Sequence, residues 1–199
     1  MSAQPVKLAV FASGAGSNAR RLIEYFGTAA HPQGDRGIVV ALVVSNKPEA
    51  GVLHIAADNQ VPTLIIEKEA FFRGDAYVPA LKAAGIDYII LAGFLWKVPS
   101  LLIQAYPQKM VNIHPALLPA YGGKGMYGNF VHEAVIAAKE NKSGITIHFV
   151  DEQYDHGASI FQATCPVLPN DTPATLAQRI HELEHANYAP VIEQLLRKK

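Results

Sequence analysis

Asn112 and His114 stand two residues apart at the end of an apolar run, Met110-Val111-Asn112-Ile113-His114. Side chains two apart on a strand point to the same face, so an amide and an imidazole can share one cleft. An amide N–H₂ beside an imidazolium can stabilise an oxyanion as it forms at a carbonyl. Pro115 and Pro119 bracket Leu117-Leu118 and stiffen the segment that follows. A second polar group, Asp151-Glu152-Gln153-Tyr154-Asp155-His156-Gly157, lies between two later apolar runs. A carboxylate beside a histidine raises the imidazole pKa and orients the ring. Spacing alone leaves open whether Asp155 meets His114. Asn, His and Asp without a serine or cysteine nucleophile suit direct attack by a substrate amine on an acyl carbon. The plainer reading of a single strand-end histidine is a satisfied structural residue.

The stretch Ser13-Gly14-Ala15-Gly16-Ser17-Asn18-Ala19 is the second place where backbone chemistry is expected. It joins a strand pattern to a helical one. Glycines admit a ligand close to the backbone, and the helix N-terminus offers unpaired N–H groups and a positive dipole end to an anion. The stretch also fits the loose dinucleotide fingerprint, G-x-G-x-x-A, which requires an acid at the end of the next strand. That strand ends Ser45-Asn46-Lys47, without an acid. Phosphate binding is therefore the preferred reading, with a dinucleotide-binding oxidoreductase and a ligand-free tight turn as its alternatives.

Two further patterns compete for attention. His181-Glu182-Leu183-Glu184-His185 matches H-E-x-x-H, which on a helix places two histidines on one face for zinc. No histidine follows to complete a protease site, and a five-residue match on a charged helix arises easily by chance. Cys165 is the only cysteine; in its apolar stretch it reads as a buried, inert thiol rather than a nucleophile.

These residues must be positioned by regular elements. Lys7–Ala12, Gly37–Ser45, Val61–Ile66, Tyr88–Ala92 and Met110–Ile113 are short apolar runs rich in β-branched residues. Helical patterns separate them, from the glycine loop to Phe26, over Gly51–Asn59 and Asp75–Ala84, and around Ser100–Tyr106. Strands apolar on both faces with helices between them predict a doubly wound, mostly parallel α/β sheet. After a helix over Phe130–Glu140, the runs Gly144–Val150 and Ser159–Val167 alternate as strands at the far side of the sheet, where an antiparallel course is open to them. Thr172–Arg197 is a long amphipathic helix, with its cap and first-turn proline supplied by Asn170-Asp171-Thr172-Pro173.

The 199 residues fit a single domain large enough to bury its own core. Lys+Arg and Asp+Glu both number 17, so no net field draws the chain to nucleic acid or an anionic membrane, while a small phosphate ligand stays possible. The polar start, Met1 to Val6, lacks a signal-peptide pattern, and with a single cysteine a cytoplasmic setting is expected.

Taken together, Asn112-Ile113-His114-Pro115-x-Leu117-Leu118-Pro119 resembles the signature of the folate-dependent formyltransferases. Ser13-Gly14-x-Gly16-Ser17-Asn18, Leu91-Ala92-Gly93-Phe94, Asp155-x-Gly157 and Glu184-His185 follow in that family's order, over nearly the whole chain. The short single-domain members are the most similar; members with a C-terminal extension or an N-terminal regulatory domain do not fit the length. The resemblance implies a Rossmann-like formyltransferase fold. It also implies transfer of a formyl group from 10-formyltetrahydrofolate, as co-substrate and without a metal, to the amine of glycinamide ribonucleotide in purine biosynthesis. It implies Asn112, His114 and Asp155 as the catalytic set, and Gly16, Ser17, Asn18, His181 and Glu184 as nucleotide contacts. Arg73, Leu95, Trp96, Lys97, Val98, Asn112, Asp151 and Asp155 would contact the folate, and the enzyme would act as a monomer or homodimer. Three places depart from the family's better-known bacterial pattern: Trp96-Lys97, Gly74 beside Arg73, and the segment Gly122–Gly128.

Overall fold

The computed structural model describes residues 4–33 and 37–197, so Met1–Ala3 of the polar start lie outside the described residues. Seven strands form one sheet in the order β3-β2-β1-β4-β5-β6-β7. They are β1 (Val6–Phe11), β2 (Ile38–Ser45), β3 (Thr63–Ile65), β4 (Tyr88–Leu91), β5 (Met110–His114), β6 (Lys142–Phe149) and β7 (Ser159–Pro166). β1 pairs parallel with β2 and β4, and β2 with β3. β6 and β7 pair antiparallel. The expected mostly parallel α/β sheet with antiparallel late strands is the observed one.

Burial explains the order. Leu8 to Ala12 are at most 1% exposed, as a central strand covered on both faces requires. β3 is three residues long and half exposed, and β7 alternates, as margin strands do. The chain divides into two compact units, one up to Val111 and one from Asn112, with the division inside β5.

In the first unit, the helices are α1 (Ser17–Phe26), α2 (Gly51–Asp58), α3 (Lys68–Phe72), α4 (Val78–Ala83) and α5 (Ser100–Ala105). The helix expected over Asp75–Ala84 begins only at Val78, with Pro79 in its first turn, where a missing N–H costs nothing. α3 was not foreseen. Its five residues are too few for a periodic signal, and buried Phe71 anchors it.

In the second unit, α6 (Asn129–Ala137) precedes β6, and α7 (Pro173–Arg197) closes the described chain. The α7 start follows the expected residues closely. The Thr175 N–H donates to the Thr172 hydroxyl oxygen at 3.3 Å, and the Thr172 N–H donates to the Thr175 hydroxyl oxygen at 2.9 Å. This reciprocal pair satisfies two helix-end donors. Asp171 accepts two bonds from Arg179, at 2.8 and 3.1 Å, and these hold its carboxyl well below the usual carboxylate range. Cys165 on β7 is buried, and burial pushes its thiol pKa up. No helix among the described residues is long and apolar enough to cross a membrane.

Candidate functional site

In the first unit the strand ends are tied together by one hydroxyl. The Ser13 Oγ–H donates to Asn46 Oδ1 at 2.6 Å and accepts from the Leu95 N–H at 2.9 Å. Ser13 thereby links the loop after β1 to the ends of β2 and β4. Asn46, near the place where a dinucleotide fold carries its acid, is engaged with this serine instead. Gly16 caps α1 in the left-handed region at φ 81°, and no side chain caps the helix. A Cβ at Gly16 would lie 2.7 Å from Val52 Cβ, so glycine is required by space as well as by φ. Ser17 is exposed and Asn18 is buried in the first turn of α1. The α1 N-terminus, where the sequence leads one to expect an anion, carries no side-chain cap.

Of the residues expected to meet a folate in this unit, Arg73 is exposed at the end of α3, and Leu95 and Lys97 are exposed after β4. Val98 is buried. Trp96 joins an aromatic group, with ring centroids 5.7 Å from Phe71 and 5.6 Å from Phe72. Phe72 is 48% exposed, so the group, whose rings are tilted against one another, presents aromatic surface to solvent.

In the second unit, β5 and the loop after β6 bring Asn112, His114 and Asp155 together. Asp155 Oδ1 lies 3.6 Å from His114 Nδ1. It lies equally far, 3.6 Å, from Nε2 of His148, a residue the sequence reading did not single out. His148 Nδ1 is 2.8 Å from the Phe149 carbonyl. A carbonyl only accepts, so that nitrogen carries the proton. In the neutral ring, Nε2 is then an acceptor for Asn112 Nδ2 at 3.1 Å, and in the protonated ring the same nitrogen is a donor facing Asp155 Oδ1. One amide N–H is used to orient Asn112, and the other is available to a ligand oxygen. The signal for His148 lay in Ile145-Thr146-Ile147-His148, where polar residues alternate at the end of a buried strand as they do in Asn112-Ile113-His114.

The charges are held by the backbone as well. The Gly123 N–H donates to Asp155 Oδ2 at 2.9 Å, and His114 Nε2 meets the Tyr121 carbonyl at 2.7 Å. Burial is the largest influence on His114 and lowers its pKa below the ordinary 6.5, against the opposing pull of Asp155 and the Tyr121 carbonyl. The expected rise beside a carboxylate is therefore outweighed by desolvation. Asp155 is lowered despite its burial, through His148, His114 and the Gly123 N–H. A cavity of about 230 Å³ opens beside Asp155, between Leu118, Gly122 and Gly157. Asp151 is exposed and accepts from the Gln153 N–H at 2.8 Å.

On α7, Glu184 is buried and His181 is exposed. The His181 and His185 rings stack with centroids 6.3 Å apart. Among the described residues, no group of three or more His, Cys, Asp and Glu side chains converges as a metal would need. His132 on α6 is 3% exposed and its Nδ1 has no hydrogen-bond partner. Burial first, then the charges of His181 and His114, push its pKa down to about 4. The unfolded chain accepts a proton near pH 6.5 that the folded chain refuses until about pH 4, so stability falls as pH falls through that window. His132→Gln is expected to shrink the drop in urea midpoint between pH 7 and pH 4.5; an unchanged drop would refute this source.

Residues 6–192 match the formyl transferase family. The chain belongs to that family. A chloroplastic phosphoribosylglycinamide formyltransferase of Arabidopsis thaliana is 43% identical over 191 residues, 94% of this chain and 64% of the plant protein. This chain thus spans less than two thirds of the plant relative's length. The phosphoribosylglycinamide formyltransferase of Bacillus subtilis is 37% identical over 96% of this chain and 94% of its own. The crystal structure of the phosphoribosylglycinamide formyltransferase from Anaplasma phagocytophilum superposes with a TM-score of 0.86 at 31% identity, covering 98% of this chain and 89% of that one. For a formyl transferase family member, the polar group around Asp155 is the natural place to look for acyl chemistry.

Proposed function

We propose that this formyl transferase family member moves the formyl group of 10-formyltetrahydrofolate to the amine of glycinamide ribonucleotide, as the names of its relatives suggest. The observation that carries the reading is the Asn112, His114, Asp155 and His148 group, in which one oriented amide N–H is left for a developing oxyanion. The substrate phosphate docks on the first-turn N–H groups of α1 at Gly16, Ser17 and Asn18, with Glu184 and His181 as further nucleotide contacts. The amine nitrogen bonds to the formyl carbon, the bond from that carbon to folate N10 breaks, and the proton leaving the amine is balanced by one reaching N10. Asn112 donates to the formyl oxygen while it carries charge. His114 starts neutral, protonated on Nε2 toward the Tyr121 carbonyl. It takes up a proton on Nδ1, where Asp155 stabilises the imidazolium. The folate contacts Asp151, Asp155 and the Leu95–Val98 stretch, and Arg73 reaches its carboxylates. The aromatic surface at Trp96 and Phe72 suits a conjugated ring.

Trp96 is the only tryptophan, so its fluorescence reports this reading directly. Adding a 10-formyl folate is expected to quench Trp96 emission. The folate should lose its formyl group only when glycinamide ribonucleotide is also present, with EDTA in every reaction. Folate loss without the amine would make the protein a hydrolase. No quenching and no turnover from folded protein would end the proposal in favour of a dinucleotide ligand at the glycine loop.

A further inference from the structure

Tyr121 adopts φ 56°, in the left-handed region, without being glycine. Such a conformation is sterically disfavoured for a side-chain-bearing residue and persists where the surroundings impose it. Its two polar groups show what imposes it here. The phenol donates to Glu140 Oε1 at 2.7 Å, 19 residues along the chain beyond the end of α6. The carbonyl receives His114 Nε2 at 2.7 Å. A carbonyl has no proton to give, so Nε2 carries the hydrogen in every charge state of the ring. The titrating nitrogen is then Nδ1, the one that faces Asp155.

The same segment also holds the carboxylate. Two residues on, the Gly123 N–H donates to Asp155 Oδ2 and leaves Oδ1 toward His114 and His148. Gly122, between them, is packed tightly: a Cβ there would lie 2.5 Å from Leu118 Cδ2 and 3.2 Å from Asp155 Cβ. Three consecutive residues therefore fix the tautomer of the imidazole and the rotation of the carboxylate.

We propose that Tyr121–Gly123 is the clasp of the His114–Asp155 pair, and that the Tyr121–Glu140 bond is its latch, making Tyr121 a positioning residue for His114. The inference rests on the formyl transfer reading for its kinetic consequence, but its structural claim does not depend on the substrate. The titratable groups facing His114 are Asp155, His148 and, from α6, His132. Of the groups around the ring, Asp155 and the Tyr121 carbonyl raise its pKa. Releasing the latch loosens the carbonyl and should lower that pKa further.

The test is an NMR titration of ring-labelled His114 in Tyr121→Phe, Glu140→Ala and Glu140→Gln, with formyl transfer kinetics in parallel. The Phe and Ala variants are expected to lower the His114 pKa by about half a unit. Their kcat should fall by about two- to tenfold, the scale of one hydrogen bond, with little change in either KM. Glu140→Gln keeps an acceptor for the phenol and should stay near the parent protein in both readouts. An unmoved His114 pKa in Tyr121→Phe and Glu140→Ala overturns the clasp, even if thermal stability drops. If the parent protein transfers no formyl group while the titration still shifts, the clasp stands and the substrate assignment falls.

Discussion

His114→Ala is expected to reduce kcat by about 10²–10³, with KM for both substrates changed far less. The size follows from what the ring is asked to do. In the proposed mechanism it accepts a proton during amine attack and becomes a cation next to the oxygen that gains charge, and loss of one such donor or proton acceptor costs about that much. The ring is buried and its Nε2 is tied to a backbone carbonyl, so the position is built for one orientation. Alanine removes the proton acceptor and leaves the Tyr121 carbonyl without its donor. Steady-state kinetics on the folded variant decide the matter: turnover within a few fold of the parent removes His114 from the chemistry.

Asp155→Asn should cost kcat on a similar scale, about 10² or more, and should also move the pH profile in a direction fixed by the geometry. Asp155 is the second-largest influence on His114 and acts to raise its pKa. Removing its charge leaves burial less opposed, so the His114 pKa drops further. A base of lower pKa stays neutral to lower pH, and the acidic limb of the kcat profile should shift toward acid. It is also a weaker base, which accounts for the lower plateau. An acidic limb that stays in place, or moves toward neutral pH, would show that Asp155 does not act through His114. The asparagine also keeps the shape that Gly122 and Gly123 pack against, which separates the loss of charge from the loss of fit.

Much of this organisation could be read in the sequence because it depends on local pattern. Runs such as Ile38-Val39-Val40-Ala41-Leu42-Val43-Val44 are apolar on both faces and leave little choice but a covered strand. The Asn112 and His114 pair was visible for the related reason that alternation on a strand fixes which side chains share a face. Other features depend on contacts far apart in the chain, and no spacing encodes them. His148 lies 36 residues from the Asn112 amide it orients. The Tyr121 oxygen that meets His114 is a backbone carbonyl, which any residue type supplies, so that contact leaves no mark in the sequence. The direction of the His114 pKa lies beyond the sequence for a similar reason. The carboxylate partner could be guessed from the sequence, whereas the depth of burial that outweighs it is a property of the assembled fold.

Cys165 has a practical consequence. It is the only thiol in the chain, it is buried on β7, and its pKa is displaced upward, so little thiolate is present at neutral pH to react. The chain is in effect blank to alkylating reagents. A cysteine introduced at one exposed position, Lys124 for example, would be the sole rapidly labelled group, without any need to remove the native one. Dyes or spin probes could then follow the glycine-rich stretch beside the clasp during turnover, in protein that is otherwise of native sequence.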